Sequence, residues 1–355
     1  MRHATGLFFV LSLCSLASAN EGGFAKAPGK APPPKAPPPP AAPSLSERTQ
    51  MLSPIQVESL SLTPIVAKAA PEKPENLIVL DEAMKKKLVR IHEVKDEDVN
   101  NLTLTNKSEQ PLFLLAGEVI IGGKQDRIIG KNTIVPAKKT LTVPVFCVEH
   151  GRWDNSSKEF TTANALAHGR LRGSANFDTQ SDVWKEVAAK NELRNTKSST
   201  DTYRTVAKQQ ASGTVANWEK QVDTALAKLP AEQKGKLVGF AVSLNGKVAT
   251  VDVFEDPTLF KKLQGKLVRS YITEAIDVKT DKAAKAVTSK DVDDFVADAE
   301  KAQEETSFDT DLAESHMKKG SKSAKAKVMY KARRDAANPA AAPAPKAVYE
   351  TYQAR

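Results

Sequence analysis

The chain has 355 residues and a formal net charge of +9; 40% of its side chains are hydrophobic and only 6% aromatic. The basic balance favours an anionic partner without choosing among nucleic acid, phosphorylated metabolite and acidic surface, and so few aromatics weigh against a protein that stacks single-stranded bases. Its two cysteines, Cys14 and Cys147, cannot staple a small scaffold, because the first falls in a leader that is removed.

Residues 1–19 carry the parts of a secretory signal. Arg2 and His3 form a basic start, Leu7 to Leu16 an apolar run, and Ala17-Ser18-Ala19 a small-x-small cleavage site. The run is shorter than the roughly 20 residues that span a bilayer. The expectation is an exported chain, periplasmic or extracellular, cut near Ala19. Processing at Cys14 as a lipoprotein is disfavoured, because Leu13 is bulky where such sites take a small residue. Loss of Arg2 lowers the charge to +8, and Cys147 remains without an intramolecular partner. No later segment is apolar enough to cross a membrane, so the mature chain is expected to be soluble.

Residues 20–50 read as a disordered linker. Nine prolines fall between Pro28 and Pro43, interleaved with Ala and Lys, which makes the stretch extended. A spacer is favoured over a ligand for a proline-binding module. Residues 51–280 then read as one globular α+β domain, with a strand-rich, sandwich-like N-terminal half and a helix-rich second half around an antiparallel hairpin. From about 54 to 150, short alternating runs such as Leu60–Leu62, Leu102–Leu104 and Leu141–Phe146 are punctuated by Asn106-Lys107-Ser108 and Gly122-Gly123. A short helix is expected at Asp81–Lys87. Pro144 cannot donate to a ladder, so its strand should be an edge there or carry a bulge.

From about 178 the period becomes helical. Val183, Val187 and Ala188 predict a helix ending near Asn191, and Val215, Trp218, Val222, Leu226 and Leu229 predict a buried stripe stopped by Pro230. Leu237 to Phe254 is two apolar strands joined by Asn245-Gly246, the pair that favours a type I′ turn. A regular register places Val238, Phe240 and Val242 opposite Val253, Val251 and Ala249. The other face then carries Gly239, Ala241 and Ser243 opposite Asp252, Thr250 and Val248, a small-residue surface suited to an overlying helix. Asp256-Pro257 starts the next helix, with Leu259, Phe260, Leu263, Leu267, Tyr271 and Ile272 on its apolar side. Residues 281–355 read as a charge-segregated tail. Ten acids and one lysine fall in 291–314, and eight Lys or Arg with no acid in 316–334. One short helix through Val292, Phe295, Val296 and Ala299 and a terminal strand at Val348–Gln353 are expected within it. The basic block is a candidate for weak, nonspecific polyanion binding, though opposite blocks also collapse on each other.

Chemistry-bearing residues stand out where charge interrupts apolar strands. One run is Gly117-Glu118-Val119-Ile120-Ile121-Gly122-Gly123-Lys124-Gln125-Asp126-Arg127; the other is Cys147-Val148-Glu149-His150-Gly151-Arg152-Trp153. The first is not a phosphate-binding loop. Its lysine comes one place late, Gln125 replaces the hydroxyl, and no helix follows. A hairpin bend at Gly122-Gly123 fits better. No paired Cys or His-x-x-x-His spacing points to a metal, and no cofactor is expected.

The residues Gly-Glu, Lys-Gln-x-Arg and Pro-Val-x-Cys-Val-Glu-x-Gly-Arg-Trp resemble the ARG and Rhodanese-Phosphatase-superfamily-associated protein domain of bacteria, over about 55–275. The resemblance implies a link to ADP-ribose or nucleotide metabolism and no settled activity. The candidate ligand-binding residues are Glu118, Lys124, Gln125, Arg127, Cys147, Glu149, Arg152 and Trp153, taking an anionic small molecule. Each has a structural reading beside the functional one. Cys147 shares a strand face with Val143 and Val145, which favours packing over nucleophilic attack. The charges form either a ligand site or an ion-pair network, since buried charge must be paired in both cases. A binding or structural role is the expectation. A hydrolase or transferase acting on a nucleotide or ADP-ribose-like substrate is the alternative.

Overall fold

The structure, a computed structural model, describes residues 43–69, 76–94, 98–153, 157, 159–331 and 345–355. The leader expected at 1–19 and residues 20–42 of the expected linker lie outside them. Residues 44–50 are folded and do not belong to a linker. Ser44 and Glu47 close a capping box, with the Ser44 N–H donating to Glu47 Oε2 at 2.6 Å, and so start helix α1 (Leu45–Arg48). The chain continues through β1 (Thr49–Met51), β2 (Ile55–Val57) and β3 (Leu60–Ala67).

The next stretch builds the strand-rich half: β4 (Ile78–Val79), α2 (Leu80–Lys85), β5 (Val89–Glu93), β6 (Asn101–Asn106), β7 (Leu112–Leu114), β8 (Glu118–Gly122), β9 (Arg127–Ile129), β10 (Thr133–Val135), β11 (Thr140–Cys147) and β12 (Phe160–Leu166). Among the described residues these give a six-stranded sheet in the order β12-β8-β9-β11-β6-β5 and a three-stranded sheet β10-β7-β4. Alternate residues of β5, β6 and β11 (Val89, Ile91, Leu102, Leu104, Val143 and Val145) turn to one core that β7 and β10 complete. The larger sheet curls until its edge strands, β5 and β12, flank a single groove. Pro144 does not lie on an outer strand, since β11 runs between β6 and β9. It sits where β11 stops pairing with β6 and takes up β9, so its missing N–H removes no regular ladder bond.

The helical half follows: α3 (Gly169–Phe177), α4 (Gln180–Leu193), α5 (Arg204–Gln209), α6 (Gly213–Ala227) and α7 (Ala231–Gly235), then the hairpin β13 (Leu237–Leu244) and β14 (Lys247–Phe254), then α8 (Pro257–Ala275). Asn245 and Gly246 both have positive φ, 46° and 74°, as a type I′ turn requires. The six apolar residues expected on α8 are all buried, and Asp256 caps it by accepting from the Thr258 N–H at 2.7 Å. The hairpin register departs from the regular one. Ser243 pairs with Val248 as expected, but a bulge then shifts the partners to Val242 with Thr250 and Phe240 with Asp252. That one-residue slip moves Asp252 off the small-residue face onto the face that packs against α8.

The residues after 280 do not form a separate tail. They supply α9 (Ser289–Glu300), β15 (Glu304–Asp309), β16 (Ala313–Lys319), β17 (Ser323–Tyr330) and β18 (Lys346–Ala354). Among the described residues these strands complete a nine-stranded sheet, β1-β3-β13-β14-β18-β17-β16-β15, with β2 also on β3. The helix and terminal strand expected there are present. α9 packs Val292, Val296 and Ala299 on Ala241, Val251 and Val253, covering the face on which a helix was expected. The boundary at 280 fails because these residues join the same sheet, where acids of α9, β15 and β18 neutralise the basic block on β16 and β17. Lys318 pairs with Glu300 at 3.0 Å, Lys325 with Glu350 at 2.7 Å and Lys327 with Glu304 at 3.0 Å.

Candidate functional site

The two charged segments lie on β8 with its turn into β9, and on the end of β11. Gly122 and Gly123 make the bend with φ of 130° and 54°. A Cβ on Gly123 would stand 2.2 Å from Phe160 Cζ, so glycine is required there by both conformation and space. The bend turns the chain back as β9, antiparallel to β8, and folds Asp126 fully inside.

Asp126 is the hub of the resulting corner. Its Oδ1 accepts from Arg204 Nη2 at 2.6 Å and the Gly122 N–H at 3.1 Å, and its Oδ2 from Arg204 Nε at 2.8 Å and Thr202 Oγ1 at 2.9 Å. Glu149 Oε2 accepts from the Asp126 N–H at 3.0 Å and from Arg152 Nε at 3.0 Å. Arg152 also donates to the Gly123 carbonyl at 2.8 Å and reaches Asp126 Oδ1 at 3.4 Å. At the rim, the Lys124 N–H donates to Glu93 Oε1 at 2.8 Å, and its ammonium lies 4.8 Å from the ring centre of Trp153, which is 45% exposed. Gln125 is buried, with Nε2 at 3.5 Å from the His150 carbonyl.

Arg127 differs from its neighbours. It is fully buried, its Nη1 reaches only the Asp126 carbonyl at 3.4 Å, and its Nε and Nη2 have no hydrogen-bond partner. Cys147 stands directly across from it in the β9–β11 ladder. The thiol is 2% exposed, and burial pushes its pKa up although the Arg127 charge pulls the other way. Gln180 clamps the Cys147 backbone, accepting from its N–H at 2.8 Å and donating to its carbonyl at 2.9 Å. This is the environment of a packed thiol rather than of an activated one.

Six of the eight sequence candidates thus meet at the corner, with Cys147 behind them. Glu118 does not. It points into the interface between the halves, where its carboxylate accepts from Lys266 of α8 at 2.7 Å and from the Leu115 N–H at 3.0 Å. Lys266 also pairs with Asp81. Burial raises the Glu118 pKa against the pull of Lys266. Burial lowers that of Lys266, but the two carboxylates outweigh it and hold the ammonium above its ordinary value. Lys266 was legible as a charge on the apolar side of its helix, three residues after Leu263.

A second buried cluster went unread. Arg172 on α3 forks onto Asp252 with two bonds of 3.0 Å and donates to Tyr349 Oη at 2.8 Å, while Tyr271 and Tyr349 both donate to Asp252. Burial alone would raise the Asp252 pKa, yet Arg172 outweighs it and keeps the carboxylate below its usual range. Gly117 exists for this cluster, since a Cβ there would stand 2.6 Å from Arg172 Cγ. The signal was an acid between Val251 and Val253, the same kind that marked Glu118. Above the cluster lies a cleft of about 850 Å³, lined among others by Arg170, Ser174, Glu186, Thr250, Glu274 and Gln353. His168 is buried behind two of the lining acids, with Nε2 at 3.9 Å from Glu186 Oε2 and 4.0 Å from Glu274 Oε2. Burial drops its pKa to about 3, so it is neutral. Tyr203 Oη accepts from the His168 backbone N–H at 3.1 Å and lies 2.9 Å from the ring Nδ1, which fixes the ring against it.

A family model described as the ARG and Rhodanese-Phosphatase-superfamily-associated Protein domain matches residues 48–338. The chain belongs to that family. The family match runs past 280, in keeping with strands β15–β17 being part of the fold. No curated protein and no solved structure matches the chain. Among the described residues of this family member, no group of three His, Cys, Asp or Glu side chains is placed to hold a metal ion, and no helix is long and apolar enough to cross a membrane.

Proposed function

We propose that the protein is exported and that it binds an anionic small molecule at the charged corner without transforming it. The observation that carries the reading is Arg127, buried with Nε and Nη2 unpartnered. Among the described residues, Arg152 and Arg204 bond the two carboxylates of the corner, Asp126 and Glu149, and Arg127 bonds neither. An unpaired buried guanidinium is costly, and an anion supplying two acceptors removes that cost. The neutral thiol of Cys147 and the mutual pairing of the other charges argue against a nucleophile and base here. Thermal melts in chloride, phosphate and acetate at constant ionic strength test it. The midpoint should rise with one of these anions in wild type and stay fixed in Arg127→Met; an equal response in both ends the proposal. Export is tested by intact mass from the native host, which should begin at Asn20.

A second reading, a hydrolase or transferase on a nucleotide or ADP-ribose-like substrate, is favoured by one feature of the cleft. Glu186 and Glu274 both line it, with carboxylates 3.9 and 4.0 Å from Nε2 of the buried His168, and a carboxylate open to a cleft is the residue type a general base requires. Turnover that Glu274→Gln abolishes, while the fold is retained, would replace the binding proposal with this one.

A further inference from the structure

The groove between β5 and β12 is separate from both sites described so far. It has a volume of about 860 Å³. Its floor is apolar, formed by Met84, Val89, Ile91 and Phe160, and the cations Lys85, Lys87, Arg90 and Lys107 surround it. Among the described residues Glu159 is the only acid lining it, and Arg90 holds that carboxylate at 2.9 Å; Lys85, Lys87 and Lys107 make no ion pair, β5 pairs only with β6, and β12 only with β8. Every second residue of such an edge strand turns its N–H and C=O away from its partner, into the groove.

These features together specify an occupant. Unused backbone donors and acceptors fit an extended chain. An apolar floor beneath a basic rim fits a strand whose side chains alternate between apolar and acidic. We propose that this groove docks an extended acidic segment of a partner protein, which adds to the edge of β5 as a further strand. Main-chain bonds would supply affinity, and the lysines would select the charge. The chain's own stretch from Pro28 to Pro43 is a poor occupant, since it is basic and nine of its residues lack an N–H. A nucleic acid is also disfavoured, because the only aromatic ring in the groove, Phe160, is buried in the floor. The inference does not depend on the reading of the charged corner.

The test titrates the full chain with an acetylated, amidated octapeptide of alternating Val and Glu, read by calorimetry and by hydrogen exchange. Binding should protect the amides of 89–93. The same peptide N-methylated at alternate positions should bind at least tenfold more weakly, as should wild-type peptide to the Lys85→Glu, Lys107→Glu double variant. Both substitutions are at exposed positions, and the methylated peptide gives an answer even if that variant folds poorly. A Lys/Val peptide should not bind. The proposal is overturned by no binding of the Glu/Val peptide, by equal affinity of the methylated peptide, or by equal binding of the Lys/Val peptide. It is likewise overturned if duplex DNA, and not the peptide, protects 89–93.

Discussion

Replacing Arg152 by Ala distinguishes a load on the fold from a free recognition group. Arg152 spans both charged segments, bonding Glu149 and Asp126 and the carbonyls of Gly122 and Gly123. Its side chain is 15% exposed, and its two acid partners are 4% and 0% exposed. Asp126 keeps Arg204 when Arg152 is lost, but Glu149 is left with one backbone N–H. Stranding a buried carboxylate costs about 3–5 kcal/mol, a large share of a total stability of roughly 5–15 kcal/mol. Glu149→Gln, which keeps an acceptor but loses the charge, should cost about 1.5–3 kcal/mol. Arg127→Met is the counterpart. It removes an unpaired buried cation and should be neutral or stabilising, by up to roughly 4 kcal/mol. Urea melts with a common slope give all three differences. The reasoning fails if Arg152→Ala lies within about 0.5 kcal/mol of wild type, the range of ordinary surface changes, or if Arg127→Met is as damaging as Arg152→Ala.

Two further outcomes follow from burial. His168 titrates at about 3 in the fold against an ordinary value of 6.5, so below pH 6.5 the unfolded chain binds a proton that the folded one refuses. Its stabilising contribution is therefore full above pH 6.5 and lost as pH falls toward 3, at about 1.4 kcal/mol per pH unit; His168→Asn should flatten the stability profile between pH 5 and 6. Cys147 should label with an alkylating reagent only on unfolding, because burial holds its thiol protonated; fast labelling of the native chain at neutral pH would contradict the packed reading.

The strength of each local signal explains what could be read from the sequence. The Asn245-Gly246 turn was legible because two adjacent positive φ values demand those residue types. The register beyond it was not, because the bulge depends on how β13 fits β3 and α8, which no short window contains. That one slip hid the cluster at Asp252, whose partners Arg172, Tyr271 and Tyr349 come from three distant elements. The corner was half legible. Lys124, Arg127, Glu149 and Arg152 were marked as charges at strand ends, and Asp126 lay in the same run, but Thr202 and Arg204, at the start of α5, are 76 to 78 residues away. Glu118 lies apart from the corner with which the sequence grouped it, since neighbours along a strand say nothing about the helix packed upon it. Lys266 supplies that missing half.

The basic block at 316–334 gives the last prediction, because pairing changes its expected magnitude. Eight free cations contacting a duplex would give a salt slope of about −7 in a plot of log K against log salt. Four of them are already held by carboxylates: Lys318 by Glu300, Lys325 by Glu300 and Glu350, Lys327 by Glu304, and Lys331 by Asp309 and Glu314. Among the described residues Lys319 and Lys322 make no ion pair; Arg333 and Arg334 lie outside them, and counting both as available gives an upper bound of four. Duplex binding should therefore be weak, with a slope no steeper than about −4. Neutralising Glu304 and Glu314 to Gln and Asp309 to Asn should steepen it by freeing Lys327 and Lys331. A slope near −7 in the unmodified chain would mean that these ion pairs do not persist in solution. Deleting the block is not an equivalent test, because β16 and β17 carry four of its eight cations and β17 is bonded along its length to β16 and β18. A chain cut at 280 would lose the strands that complete the sheet beyond β14 together with α9, exposing Val251 and Val253, so any change in its binding would report unfolding.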